Sequence, residues 1–232
     1  MAGEMIDIVQ AYFNFDTPAP PEDDLIAFAR RIFDEMDAAT EKFLPFDDYS
    51  LYLAVEEGSI KGRGKVAVLA TTLYFGIAQY GSFIQGLEII ARQGRAVAHA
   101  VICAASGDEM VQHVPKKTRV NAGAASLLER LFVKVRDREI SPEEATQRAI
   151  DILDPTGAEL PTEAQQKIAT ALESIRLNPE QLHLDLGHED EFVSPAPPKP
   201  RRNRPMPAAT HLFVVIERER KRSQPQFRKE YR

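Results

Sequence analysis

The sequence predicts an α+β fold, mostly helical, in which a small antiparallel sheet from residues 49–64 and 210–217 packs against helices. Three observations predict it. Tyr49 to Val55 alternates like a strand, with Leu51, Leu53 and Val55 on one side, and after the turn Glu57-Gly58-Ser59 the segment Ile60–Gly64 can return antiparallel to it. Val66 to Leu87 carries no charged residue over 22 positions, which exceeds a strand and suits a long helical segment broken by Gly76, Gly81 and Gly86. Residues 122–177 hold three apolar-periodic runs with polar turns between them, a compact helical unit.

The chain of 232 residues, 44% hydrophobic, is long enough for one sizeable core or one core with a small appended module. Its net charge of −6 is unevenly spread. From Lys199 onward there are eleven Lys/Arg against three Glu, a net +8, which leaves −14 for residues 1–198. An acidic body thus carries a basic tail. A single cysteine, Cys103, argues against a disulfide framework and fits a reducing compartment. MAGEMIDIVQ lacks a basic region ahead of an apolar stretch and is not a secretory signal, so a cytoplasmic location is expected.

In chain order, residues 5–15 are apolar enough to dock on a body as a short strand or helix, ended by Thr17-Pro18-Ala19-Pro20-Pro21. A helix is predicted over 22–41. Glu22, Asp23 and Asp24 fall at the positive end of its dipole, and Leu25, Phe28, Ala29, Ile32, Phe33 and Met36 form its buried stripe. Phe43-Leu44-Pro45-Phe46 stops it. The hairpin of 49–64 follows, with Lys61, Arg63 and Lys65 on one face and Gly62 and Gly64 on the other. The uncharged run begins at Val66 and is expected to kink near Gly81-Ser82, and the helix resumes over 87–105 until Ser106-Gly107-Asp108. Met110–Thr118 reads as a loop. Asn121 can cap a helix to about Arg136; Ser141-Pro142-Glu143-Glu144 opens a second that Asp154-Pro155 stops; Thr162 with Gln165 repeats the capping pattern for a third. Residues 179–209 form an acidic, then proline-rich and basic linker. Thr210–Ile216 is a terminal strand, and the residues after it are too charged to pack. Four regions result: a body of 1–120, a helical unit of 121–178, the linker 179–209, and the strand with its basic tail, 210–232.

Candidate chemistry is sparse. His183, Asp185, His188 and Asp190 are metal-ligand types, but the spacing has no supporting cysteine or second histidine pair, and a solvated acidic loop is the plainer reading. His99 and Cys103 share a helix face four residues apart, the spacing of a thiolate pair; a small buried thiol is the plainer reading. Gly62-x-Gly64-Lys65 lacks the hydroxyl residue of a phosphate loop, because Val66 follows the lysine. Pro197–Arg202 matches a groove-binding proline ligand but also a stiff basic linker. No acid, base or nucleophile set stands out, so no cofactor is expected and a non-enzymatic role is.

Two functions of different class follow. In the first, an effector or assembly protein uses a glycine-rich helical hairpin to form a homo-oligomer or to contact the inner face of a membrane. Its contact residues would be Leu69, Leu73, Tyr74, Phe75, Gly76 and Ile77, then Tyr80, Gly81, Phe83, Ile84 and Gly86. The length of the uncharged run meets the spanning requirement, while Gln79, Ser82, Gln85, Thr71 and Thr72 dilute it. In the second, a regulatory or adaptor module engages a protein or nucleic-acid partner through its helical unit and basic tail. Arg201, Arg202, Arg204, Arg218, Arg220, Lys221 and Arg222 would then dock electrostatically.

Overall fold

A computed structural model describes residues 5–15, 20–57, 60–80, 82–107, 117–154, 160–175, 212–219 and 225–231. Of the two states open to residues 5–15, the chain takes the strand, β1 (Met5–Asn14). A register shift between Asp7 and Val9 in its pairing allows Ile8 and Val9 both to be buried, after which Ala11 and Phe13 continue the inward face. Helix α1 (Glu22–Phe43) buries the stripe read from the sequence, and it ends where Leu44 turns extended ahead of Pro45.

The predicted hairpin forms as β2 (Ser50–Glu56) and β3 (Lys61–Leu69), in register from Ser50 opposite Ala67 to Glu56 opposite Lys61. Strand β3 therefore takes the first four residues of the uncharged run. β-Branched Val66 and Val68 are fully buried there, and the ladder with β1 has partners to offer as far as Met5, opposite Leu69. Only then does the chain turn helical, as α2 (Ala70–Ala78) and α3 (Phe83–Ser106), the latter capped by Ser82, whose Oγ accepts from the Gln85 amide. Gly81 itself lies outside the described residues; helix ends at Ala78 and resumes at Phe83 on either side of it. The spanning reading of this run is corrected: no helix among the described residues is long and apolar enough to cross a membrane. Gly86 permits the close return of α3 past α2, for a Cβ there would lie 2.0 Å from the Ile77 carbonyl oxygen.

Part of the predicted loop is strand: β4 (Lys117–Asn121) takes Lys117 and Thr118, while 108–116 lie outside the described residues. Asn121 closes that strand instead of capping a helix. The helical unit follows as α4 (Gly123–Arg136), α5 (Pro142–Leu153) and α6 (Thr162–Glu173). Ser141 caps α5 as expected, accepting from the Glu144 amide at 3.2 Å. Thr162 does not cap α6; it is the first helical residue, Pro161 holds the cap position, and the Gln165 side chain donates to the Leu160 carbonyl.

The largest correction is at the C-terminal end. β5 (Leu212–Arg218) pairs with β2 as predicted, but the residues after it also pair, as β6 (Gln226–Tyr231) along β5. Main-chain pairing does not require apolar side chains, and an edge strand of charged residues is the usual form in a folded protein. Lys229 pairs with Glu22 of α1, and Phe227 lies under the Arg30 guanidinium, 4.9 Å from its ring centroid. The sheet is thus six-stranded and antiparallel throughout, in the order β4-β1-β3-β2-β5-β6, twice the predicted number of strands. Helices α1 and α3 cover one face, and a continuous core runs beneath them from Ile6 to Ile216. The other face is open except at its edge, where Leu127 of α4 and Ile152 of α5 stand beside Gln10, Lys65 and Asn121.

Candidate functional site

Register places specific side chains together on that open face, because residues directly opposite one another across a pair of strands point the same way. One transverse row reads Arg119, Tyr12, Arg63, Ala54, Val215, Arg228 from β4 to β6. The row beside it reads Lys117, Asn14, Lys61, Glu56, Phe213, Glu230, and the row on the other side reads Asn121, Gln10, Lys65, Tyr52, Glu217, Gln226. The three strands β4, β1 and β3 hold five cations, and the opposite half of the face holds most of its carboxylates. A depression of about 550 Å³ lies over the basic half, lined by Gln10, Tyr12, Arg63, Lys65, Lys117 and Arg119 among others. A second, of about 290 Å³, shares Tyr12 and Arg63 and extends it toward Tyr52 and Phe213.

Two of the five cations are neutralised in place. Lys65 donates to Asp7 Oδ2 at 2.6 Å, and Lys61 donates to Glu56 Oε1 at 3.3 Å. Arg63, Lys117 and Arg119 are exposed and have no ion-pair partner among the described residues. Three uncompensated charges therefore surround Tyr12 on a surface of an otherwise acidic protein. Exposed cations in this number attract a polyanion whose charges repeat at short intervals.

The residues expected to mediate contact lie elsewhere. Leu73, Tyr74, Gly76, Ile77 and Gly86 are buried, Leu69 is half-buried, and Tyr80, Phe83 and Ile84 are half-buried against the core. Among the described members of that set Phe75 is the one turned to solvent, 61% exposed, with its ring edge-on to Tyr74 at 5.6 Å. Of the basic tail, Arg201, Arg202, Arg204, Arg220, Lys221 and Arg222 lie outside the described residues. Arg218 is not a free docking charge: it is 8% exposed and directs both terminal nitrogens at the Asp37 carboxylate of α1. The same carboxylate accepts the Tyr49 hydroxyl at 2.7 Å. Burial alone would lower the Arg218 pKa, but the hydrogen bonds and charge of Asp37 outweigh it and the value is raised. Burial first, and then the Asp37 carboxylate, push the Tyr49 phenol well above its ordinary range.

His99 and Cys103 do meet on α3, with Sγ 3.2 Å from Nδ1, but the thiol is exposed and not buried as expected. No third side chain orients that pair among the described residues. His183, Asp185, His188, Asp190 and the proline motif 197–202 lie outside the described residues, and among the described ones no group of three or more ligand-type side chains could hold a metal ion. Gly62 lies inside β3, where a Cβ would meet the Phe13 ring at 1.9 Å, so it serves packing.

Sequence reasoning placed Lys61, Arg63 and Lys65 on one face but missed Tyr12, Lys117 and Arg119. The signal for them was present as alternation, Gln10-x-Tyr12-x-Asn14 and Lys117-x-Arg119-x-Asn121, in segments assigned to an undecided element and a loop. Comparison with protein families, with curated proteins and with solved structures finds no match for this chain.

Proposed function

We propose that this protein binds single-stranded nucleic acid on the open face of its sheet. The observation that carries the reading is the row Arg119, Tyr12, Arg63, with Lys117 beside it, in which unpaired cations flank an aromatic side chain. Single strands are held by cations that track the phosphates and by aromatic rings on which unstacked bases rest, and open sheet faces are a recurrent platform for this. A duplex fits less well, since its major groove admits a helix or a two-stranded ribbon and not a broad sheet. A bilayer fits less well too, because the side chains interleaved with these cations are tyrosine and carboxamide, not the aliphatic groups that enter the headgroup region.

Fluorescence anisotropy with labelled single-stranded RNA and DNA, the corresponding duplexes and anionic vesicles tests the reading on the full chain. Single strands are expected to bind, with a salt dependence of log K on log salt of about −2, the value for three phosphate contacts. The double substitution Arg63→Glu with Arg119→Glu should lower that slope to about −0.7 and weaken binding by at least tenfold, as expected when one contact remains. Absence of binding, indifference to the substitutions, or a preference for duplex or vesicles overturns it. A second reading, self-association through α2, is favoured by the exposure of Phe75, and light scattering on the same samples reports it.

A further inference from the structure

We infer that Tyr52 is a second base-stacking residue of this face, so that the bound strand crosses the sheet from β4 to β2 and stops there; the inference rests on the single-strand reading above. The chain has six tyrosines and no tryptophan. Tyr49 and Tyr231 donate hydrogen bonds to carboxylates, Tyr74 meets the rings of Phe75 and Phe83, and Tyr80 packs on the core. Tyr12 and Tyr52 are the two left without a hydrogen-bond or ring partner among the described residues, and both stand half-buried on the open face.

Register places Arg63 between the two rings. It lies directly opposite Tyr12 on β1; on its other side its partner is Ala54 of β2, with Tyr52 two residues along and so on the diagonal. All three side chains line the depression of about 290 Å³, to which Ala54 contributes only a methyl group. Two strand spacings across the sheet and two residues along it separate the rings by about 12 Å at the backbone. Bases stacked on each other advance only about 3.4 Å per step, so this separation suits a strand drawn out until each base meets its own ring. Charge sets the far limit. Beyond β3 the face carries Glu56, Glu217 and Glu230, and Glu217 is directly opposite Tyr52. Lys61 and Arg228 offset two of these carboxylates but leave no cation over for a phosphate. The phosphates therefore stay on the Arg63 side, and an uncharged base reaches out over Tyr52.

The test uses the full chain and a labelled single strand of mixed sequence. Because the protein has no tryptophan, Tyr52→Trp and, beyond the proposed limit, Arg228→Trp each introduce a single reporter. Saturation with the strand is expected to quench the emission of Tyr52→Trp and to leave that of Arg228→Trp unchanged. Tyr52→Ile keeps an apolar side chain suited to a strand, and circular dichroism checks its fold. It should bind about tenfold more weakly, the loss of one stacked base, with the slope of log K on log salt as in wild type. Tyr52→Phe keeps the ring and should bind within about twofold of wild type. Any other pattern of quenching, wild-type affinity in Tyr52→Ile, a flattened salt slope in that variant, or an equal loss in Tyr52→Phe overturns the inference and leaves the single-strand reading standing. Failure of the strand to bind wild type overturns both.

Discussion

Asp37 accepts hydrogen bonds from both terminal nitrogens of Arg218 and from the Tyr49 hydroxyl, and so ties α1 to β5 and to the start of β2. The arrangement makes the protein sensitive to alkali through Tyr49. Below about pH 10, the ordinary phenol value, folded and unfolded chains both keep the proton. Above it the unfolded chain releases a proton that the folded chain still holds, so the unfolded state gains and stability falls as pH rises. Urea denaturation across alkaline pH should show this decline in wild type and a flatter profile in Tyr49→Phe. That variant should also be about 1–3 kcal/mol less stable at neutral pH, having lost a hydrogen bond to a charged acceptor. Arg218 was misread from the sequence because counting charges cannot tell which way each side chain of a strand turns. The inward series Leu212, Val214, Ile216 continues to Arg218 at the same period of two, and a strand extended by two residues would have shown it.

At the scale of elements, α1, the 49–64 hairpin and the capped helix α5 were legible because each has a periodicity and a boundary signal of its own. The uncharged run was not, because absence of charge fixes burial without fixing conformation. Val66–Leu69 is strand since β1 offers partners to all four residues and β2 to the first two, a fact that no window centred on the run contains. Packing between β1 and β3 depends on the missing side chain at Gly62, under the Phe13 ring. Gly62→Ala should therefore destabilise the fold by about 1–3 kcal/mol, the usual range for overpacking. Adding Phe13→Leu should recover part of the loss; a double-mutant cycle in urea measures it, and simple additivity would count against the contact.

For the whole molecule, the candidate site was legible only in fragments, because strand order and not sequence proximity assembles it. Tyr12 meets Arg63 and Arg119 through pairings that bring together residues far apart in the chain, and three alternating segments became one surface only once the sheet order was known. The same topology inserts β5 between β2 and β6, so that the Leu212 amide reaches the Glu57 side chain across 155 residues. During biosynthesis β2 must wait for that partner. Until residues 212–218 have been made, a strand whose inward side chains are Leu51, Leu53 and Val55 has one row of main-chain groups unmatched, open to pairing with another nascent chain. A chain stopped after residue 198 should consequently collect in the insoluble fraction on expression, and co-expression of a separate 205–232 fragment should return part of it to the supernatant. Timing of synthesis thus becomes a hazard for this protein, and its final strands act as a stopper fitted last.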